Sequence, residues 1–302
     1  MCTKPCAQGN NNMKFNQYIA TQIETRPDPQ SVSDMYLDLV KRSLTRALVA
    51  KKFERQTIWP GRKWLRIIVH FLRKILAPMR LELVRLIHTD ALGYLESGDA
   101  ALNRAEDAES MLGTRQFDHM QRCIDDIIER EVPGDLLEAG VWRGGMTMFM
   151  RAALKARGDD IRRVFVVDSF AGLPTPNEEI DSNWWKAGDM SVSLEEVREN
   201  FARYNLQDDK VVFIKGFFAE SLPHAPIDEL SILRIDADLY DSTLDVLNVL
   251  YGKLSVGGYV VIDDYQNLRE CQRAVDEFRT RHGISEELVK IDTRAVHWIR
   301  ER

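Results

Sequence analysis

Cysteine is scarce in this chain. Cys2, Cys6, Cys123 and Cys271 are scattered over 302 residues, and none forms a C-x-x-C pair. That excludes a disulfide scaffold and reads as reduced thiols, with a cytoplasmic location as the expectation. Long apolar runs are also missing. No stretch of about 18 uncharged apolar residues occurs, so no helix is expected to span a bilayer. The N-terminal MCTKPCAQGNNNMKF lacks the apolar core of a signal peptide. A basic excess is absent too: 41 Lys and Arg face 47 Asp and Glu, a net charge of -6. This disfavours a generic nucleic-acid binder, and no nucleic acid is expected as a partner. Neither an internal repeat nor a low-complexity tract is visible.

What remains is globular. Hydrophobic residues make up 44% and charged residues 29%, over a length suited to one or two domains. Residues 1–30 are polar and carry Asn10, Asn11, Asn12, Pro27 and Pro29, the composition of a disordered tail. A helical region is expected over 31–104. Ser31 or the pair Ser33-Asp34 can cap a helix in which Tyr36, Leu39, Val40 and Leu44 recur at helical spacing. A basic amphipathic block follows at 61–88, with Pro78 ending its first helix. Such a helix packs on its own protein or a sister subunit more often than on a membrane surface, and both readings stand here.

From about residue 105 the pattern alternates. Strand-like LLEAGV (136–141), VFVVD (164–168), VVFIKG (211–216), LSILRID (230–236) and YVVIDD (259–264) are separated by helical segments. AVHWIR closes the chain as a last strand. Near-continuous apolar strands interleaved with helices imply an α/β fold, a doubly wound and mostly parallel sheet covered on both faces. In such sheets ligands sit beyond the carboxyl ends of the strands.

Two constellations fall there. The first strand carries Glu138 and breaks into Gly140-Val141-Trp142-Arg143-Gly144-Gly145, after which a helix begins. The second strand ends in Asp168, an acid placed to accept from ribose hydroxyls. A dinucleotide site wants G-x-G-x-x-G, but this turn reads G-x-x-x-G-G with bulky residues inside it. Glu138 would also oppose a pyrophosphate. A cationic cofactor without phosphate, S-adenosylmethionine, suits the turn better than a nicotinamide dinucleotide. The second constellation is acidic: the fourth strand ends Asp236-Ala237-Asp238 and the fifth Asp263-Asp264. Clustered carboxylates repel and resist desolvation, which a hard divalent cation relieves; oxygen-only ligands point to Mg²⁺, with Mn²⁺ or Ca²⁺ as the alternatives. Asp238 or Asp264 can alternatively cap the following helix. Metal coordination and a nearby carboxylate both activate a hydroxyl, so the parts suggest methyl transfer to oxygen. His224 and His297 read as structural or exposed rather than as bases. Trp184 and Trp185 read equally as packing or as a lid, and Cys123 and Cys271 as core.

The stretches VPGDLLEAGVWRGGMTMFMRAAL, VVDSFAGLP, SVSLEEVRENFARYNL, KGFFAESLP and LRIDADLYDSTLDVLNVLYGKLSVGGYVVIDDY resemble the macrocin O-methyltransferase family. So do YLDLVKRSLTRAL and AEDAESMLGTRQFDHMQRCI nearer the N-terminus. The resemblance covers about two thirds of the chain. It implies a seven-stranded class I methyltransferase-like sheet, with residues 105–302 as the S-adenosylmethionine-binding domain. It implies methylation of sugar hydroxyls on macrolides and related natural products. Asp236, Asp263 and Asp264 match the family's magnesium ligands, with Asp236 also the proposed general base. Met111, Glu138, Gly140, Trp142, Arg143, Gly144, Asp168, Ser169, Gly216 and Phe217 match its S-adenosylmethionine pocket. The expected acceptor is a small glycosylated molecule and the expected assembly a homo-oligomer. Methylation of an aromatic hydroxyl by the same metal chemistry is the rival activity, and a non-catalytic partner retaining the fold is the rival class.

Overall fold

The computed structural model describes residues 31–48, 51–55, 70–72, 74–76, 78, 84–88 and 108–302 apart from 183. The expected tail at 1–30 and most of the basic block at 61–88 lie outside these residues.

Helix α1 (Val32–Leu44) starts where Ser31 accepts a hydrogen bond from Asp34 N–H, one of the two caps expected. Its buried stripe is Leu37, Val40 and Leu44, packed on α3; Tyr36 and Leu39, which share the expected spacing, face outward. The helical reading of 31–104 is corrected in two places. β1 (Lys51–Arg55) and β2 (Val84–His88) pair antiparallel, Lys51 opposite His88 and Arg55 opposite Val84. Pairing across some thirty intervening residues leaves no local signature, and short runs of either period are ambiguous. The described part of 70–76 is helical and Pro78 follows it, as expected of that block.

The main sheet is built from β3 (Asp135–Ala139), β4 (Val164–Asp168), β5 (Val211–Lys215), β6 (Leu230–Ile235), β7 (Leu254–Ile262), β8 (Val289–Lys290) and β9 (Val296–Ile299). Its order is β5-β4-β3-β6-β7-β9-β8. The first five strands are parallel, and β9 pairs antiparallel with both β7 and β8. The helices are α2 (Thr114–Glu129), α3 (Gly145–Ala156), α4 (Leu194–Arg203), the single turn α5 (Phe218–Ser221), α6 (Tyr240–Leu250) and α7 (Arg269–His282).

Strand periodicity divides the interior in two. Leu136, Val164, Val166, Ile232 and Val261 join α1, α2, α3 and α4 in one apolar cluster. Leu137, Phe165, Val167, Leu233 and Val260 join α6 and α7 in the other. The sheet is therefore covered on both faces, as its unbroken apolar strands require. The same parity fixes the polar residues: Glu138 and Arg234 are register partners in β3 and β6 and face α2. After β5 the chain crosses β3 and β4 to form β6, so connections diverge between β3 and β6. Ligand crevices form at the carboxyl ends of strands at such a point.

Candidate active site

A cavity of about 510 Å³ opens at that point. One wall is the turn after β3. Gly140 has φ of +85°, and a Cβ there would fall 1.8 Å from the carbonyl oxygen of Asp236. Only glycine fits, and the contact ties the turn to the end of β6. Gly144 caps α3 at φ +87°, with its back against Val197 and Phe201. Asp168 organises the turn from β4: its Oδ2 accepts from Val141 N–H at 2.8 Å and Trp142 N–H at 3.3 Å, its Oδ1 from Phe170 N–H at 2.8 Å. Burial raises the Asp168 carboxyl, and those backbone donors oppose the rise.

Of the ten expected donor-pocket residues, Met111, Glu138, Gly140, Trp142, Asp168, Ser169 and Phe217 line the cavity. Arg143, Gly144 and Gly216 do not. Arg143 turns back to the carbonyl of Ala108 and stacks on Trp142, so it braces the turn from behind. Gly216 stands one layer out, its N–H donating to Asp168 O. The sequence could place these three beside the turn but not say which way they face.

Glu138 is buried on the floor. Its Oε1 accepts from Arg234 at 2.5 Å. Thr147 lies near enough to favour the charged form, yet no donor of good geometry reaches Oε2. Burial pushes the carboxyl up to about 7, with Arg234 the chief opposing influence. A buried carboxylate oxygen without a donor, beside a turn that only glycine can form, fits the ammonium of an amino-acid-bearing cofactor. Asp168 retains lone pairs for ribose hydroxyls. S-adenosylmethionine suits this end of the cavity.

The other end is acidic. The structure brings Asp236, Asp238 and Asp264 together, each offering a carboxylate oxygen within 4.8 Å of the others. Asp263, expected among the metal ligands, is instead held by two arginines: Arg234 Nη2 at 2.7 Å and Arg294 Nη2 at 3.4 Å. Strand parity explains the exchange. Asp263 continues the face of Val261 toward Arg234, while its neighbour Asp264 turns the other way to meet Asp238. Asp238, at φ +56°, belongs to the expected acidic cluster but not to the expected ligand set, and it is not the alternative helix cap either; Leu239 is the N-cap of α6. Strain of this kind collects at functional sites. Burial lifts Asp236 well above the ordinary carboxylate range, with Asp263 adding to it; burial and then Asp264 lift Asp238. Asp264 Oδ1 accepts from Arg294 and from Asn267 at 2.9 Å, but Oδ2 is buried without a donor. Three carboxylates, an orphaned oxygen and no sulfur or imidazole fit a hard divalent cation.

Arg234 and Arg294 were not foreseen. The arginine inside an apolar strand, LSILRI, is the signal that marked the first; nothing local marks the second. Trp185 lines the cavity and donates to Glu270 at 3.3 Å, whereas Trp184 is exposed. His297 is buried against His119 and His224 is exposed, away from the chemistry as expected. Cys123 and Cys271 are core residues. Among the described residues no helix is long and apolar enough to cross a membrane.

The family model of the macrocin O-methyltransferases (TylF) matches residues 33–300. The chain is 36% identical over 295 residues to the demethyldecarbamoylnovobiocin O-methyltransferase of Streptomyces niveus, covering 94% of this chain and all of that one. It is 45% identical over 197 residues to the 8-demethyl-8-(2,3-dimethoxy-alpha-L-rhamnosyl)-tetracenomycin-C 4'-O-methyltransferase of Streptomyces olivaceus, covering 63% of this chain and 75% of the relative. Among solved structures it superposes on the O-methyltransferase NovP with a TM-score of 0.71 at 36% identity, over 89% of this chain and all of the other.

Proposed function

The chain belongs to the macrocin O-methyltransferase family and is an enzyme of the class I methyltransferase fold, and from that premise we propose that it moves the methyl of S-adenosylmethionine to a sugar hydroxyl on an antibiotic-type natural product. The rhamnosyl acceptor in the name of the Streptomyces olivaceus relative supports a sugar over an aromatic hydroxyl. A non-catalytic role is set aside by the family.

The observation that carries the reading is one cavity joining the glycine turn to Asp236. Glu138 and Asp168 would hold the amino-acid and ribose ends of the donor, and Asp236 lies in the same cavity toward the ends of β6 and β7. A hydroxyl brought there lies beside Asp236, which takes its proton as oxygen attacks the methyl carbon in line with the departing sulfur. The rest of the rate comes from holding oxygen, carbon and sulfur collinear and excluding water. Asp236, Asp238 and Asp264 are the residues that would hold Mg²⁺, which when bound lowers the proton affinity of an adjacent hydroxyl.

The test combines purified protein, S-adenosylmethionine, Mg²⁺ and a panel of glycosylated natural products, macrocin included, read by mass spectrometry. A gain of one methyl on a sugar supports the proposal. Transfer to aromatic hydroxyls alone overturns the acceptor class.

A further inference from the structure

Arg234 sits next to the carboxyl end of β6, a strand buried along its whole length, with its side chain sealed from solvent. Its guanidinium reaches four residues on four different segments. Nη1 donates to Glu138 Oε1 on β3 at 2.5 Å and to Asp236 Oδ2 at 2.9 Å. Nη2 donates to Gln116 Oε1 on α2 at 3.2 Å and to Asp263 Oδ1 beyond β7 at 2.7 Å. One nitrogen is thus shared between the carboxylate that faces the donor and the carboxylate assigned to the acceptor hydroxyl.

Stability alone gives a poor account of this arrangement. Burying a guanidinium with three carboxylates forfeits hydration that apolar packing would not have cost, and such clusters can often be replaced by hydrophobic residues without loss. A planar fork, by contrast, fixes carboxylate orientation in a way that an ammonium cannot. Asp236 ends a strand and is only partly covered, so without the fork its carboxylate has freedom to rotate.

We propose that Arg234 is a positioning residue that orients Asp236 for proton removal and couples it energetically to the donor pocket through Glu138. The proposal rests on the reading of Asp236 and Glu138 given above. Its consequence is that a change at Asp236 is felt by the donor, and a change at the donor end by Asp236, through one shared nitrogen.

The test is a double-mutant cycle on donor binding, which needs no acceptor. The affinity of S-adenosylhomocysteine is measured by calorimetry for the unaltered protein, Asp236→Asn, Arg234→Lys and the double variant. Asp236→Asn is expected to shift the affinity by about threefold or more when Arg234 is present and by much less in the Arg234→Lys background. With the acceptor identified by the panel, Arg234→Lys is expected to lower kcat by about tenfold or more. KM for S-adenosylmethionine should stay within about threefold under the same loss of orientation. Should Arg234→Lys fail to fold, Gln116→Met takes its place in the cycle, since it removes one of the two acceptors on Nη2, leaving Asp263, and loosens the fork without removing a charge; a reduced coupling is again expected. An equal shift in both backgrounds, or none, overturns the coupling alone. Failure of S-adenosylhomocysteine to bind the unaltered protein overturns the donor reading and this proposal with it.

Discussion

At the glycine turn the carboxylate of Asp168 is held by three backbone N–H groups, whereas at the ends of β6 and β7 Asp236 shares one arginine nitrogen with Glu138 and Asp238 faces another carboxyl. Backbone donors are part of the fold and come preorganised with it. Carboxylates that face one another are not satisfied until something positive joins them. The turn around Asp168 is therefore organised as folded, whereas the acid half keeps a carboxylate oxygen, Asp264 Oδ2, that no donor reaches. Asp263 and Asp264 repeat the contrast in miniature: neighbours in sequence, one enclosed by arginines and the other left with an oxygen that no donor reaches.

The largest effect that would break this contrast comes from Asp236→Ala. Turnover is expected to fall by about a thousandfold, the loss of a positioned base. Donor binding by calorimetry should persist, within about tenfold of the unaltered protein as coupling through Arg234 allows, and full activity in the variant would remove Asp236 from the chemistry. Gly140→Ala attacks the other half. Its Cβ would enter the space of the Asp236 carbonyl at a left-handed φ, so donor binding should be lost and stability should drop by at least about 1–3 kcal/mol in thermal melts. An alanine variant that binds the donor normally would show that the turn is not preorganised as described.

A smaller effect would separate the proposed metal ligands from Asp263. Asp238→Asn is expected to raise the Mg²⁺ concentration for half-maximal activity by about tenfold or more. Asp263→Asn should instead lower the melting temperature, with a weaker metal effect, because it removes a buried charge that two arginines share. Reversed outcomes would restore Asp263 to the ligand set. Chelator-treated enzyme running at full speed would dispense with the ion.

The smallest expected effect lies away from both halves, at the buried pair His119 and His297, whose ring nitrogens are 3.0 Å apart. Burial holds His119 well below its ordinary value and His297 at about 4. An unfolded histidine binds a proton near pH 6.5, while the native pair refuses it. The pair therefore loses the protein stability as pH falls from about 6.5 toward 4, by at most a few kcal/mol. Glu138 pushes the other way, since its raised value adds stability as pH falls from about 7 to 4.5. Denaturant melts across that range should show a shallower acid-side loss for His297→Gln than for the unaltered chain; parallel curves would argue that the pair is not held neutral.

The sequence made the donor half readable because its logic is local. A strand, a glycine turn, a helix start and an acid about 28 positions later are adjacent in the chain and dictate one backbone path. The acid half was readable as composition but not as geometry. Which of Asp238 and Asp263 joins Asp236 depends on side-chain direction at the strand ends: parity turns Asp263 toward Arg234, but nothing local marks Asp238, beyond β6 at a left-handed φ, as its replacement. Arg294 reaches its carboxylates from the segment between β8 and β9, and Gln116 reaches Arg234 from α2; both partnerships are tertiary. The β1–β2 pair escaped notice for the same reason, since its strands are united only by long-range pairing. The outward turn of Tyr36 and Leu39 shows a further limit, because an apolar stripe at helical spacing does not say where its centre lies.

The last turn of α1 has a practical consequence. The carbonyl of Leu44 accepts from the N–H groups of Glu109 and Ser110, Arg46 grips the Glu109 side chain, and the Glu109 carbonyl takes the N–H of Gly145. Residues 109–112 line the cavity. Removing α1 would thus knock out the shelf on which residues 109–112 are mounted, and would disturb the cavity from a helix that does not itself line it.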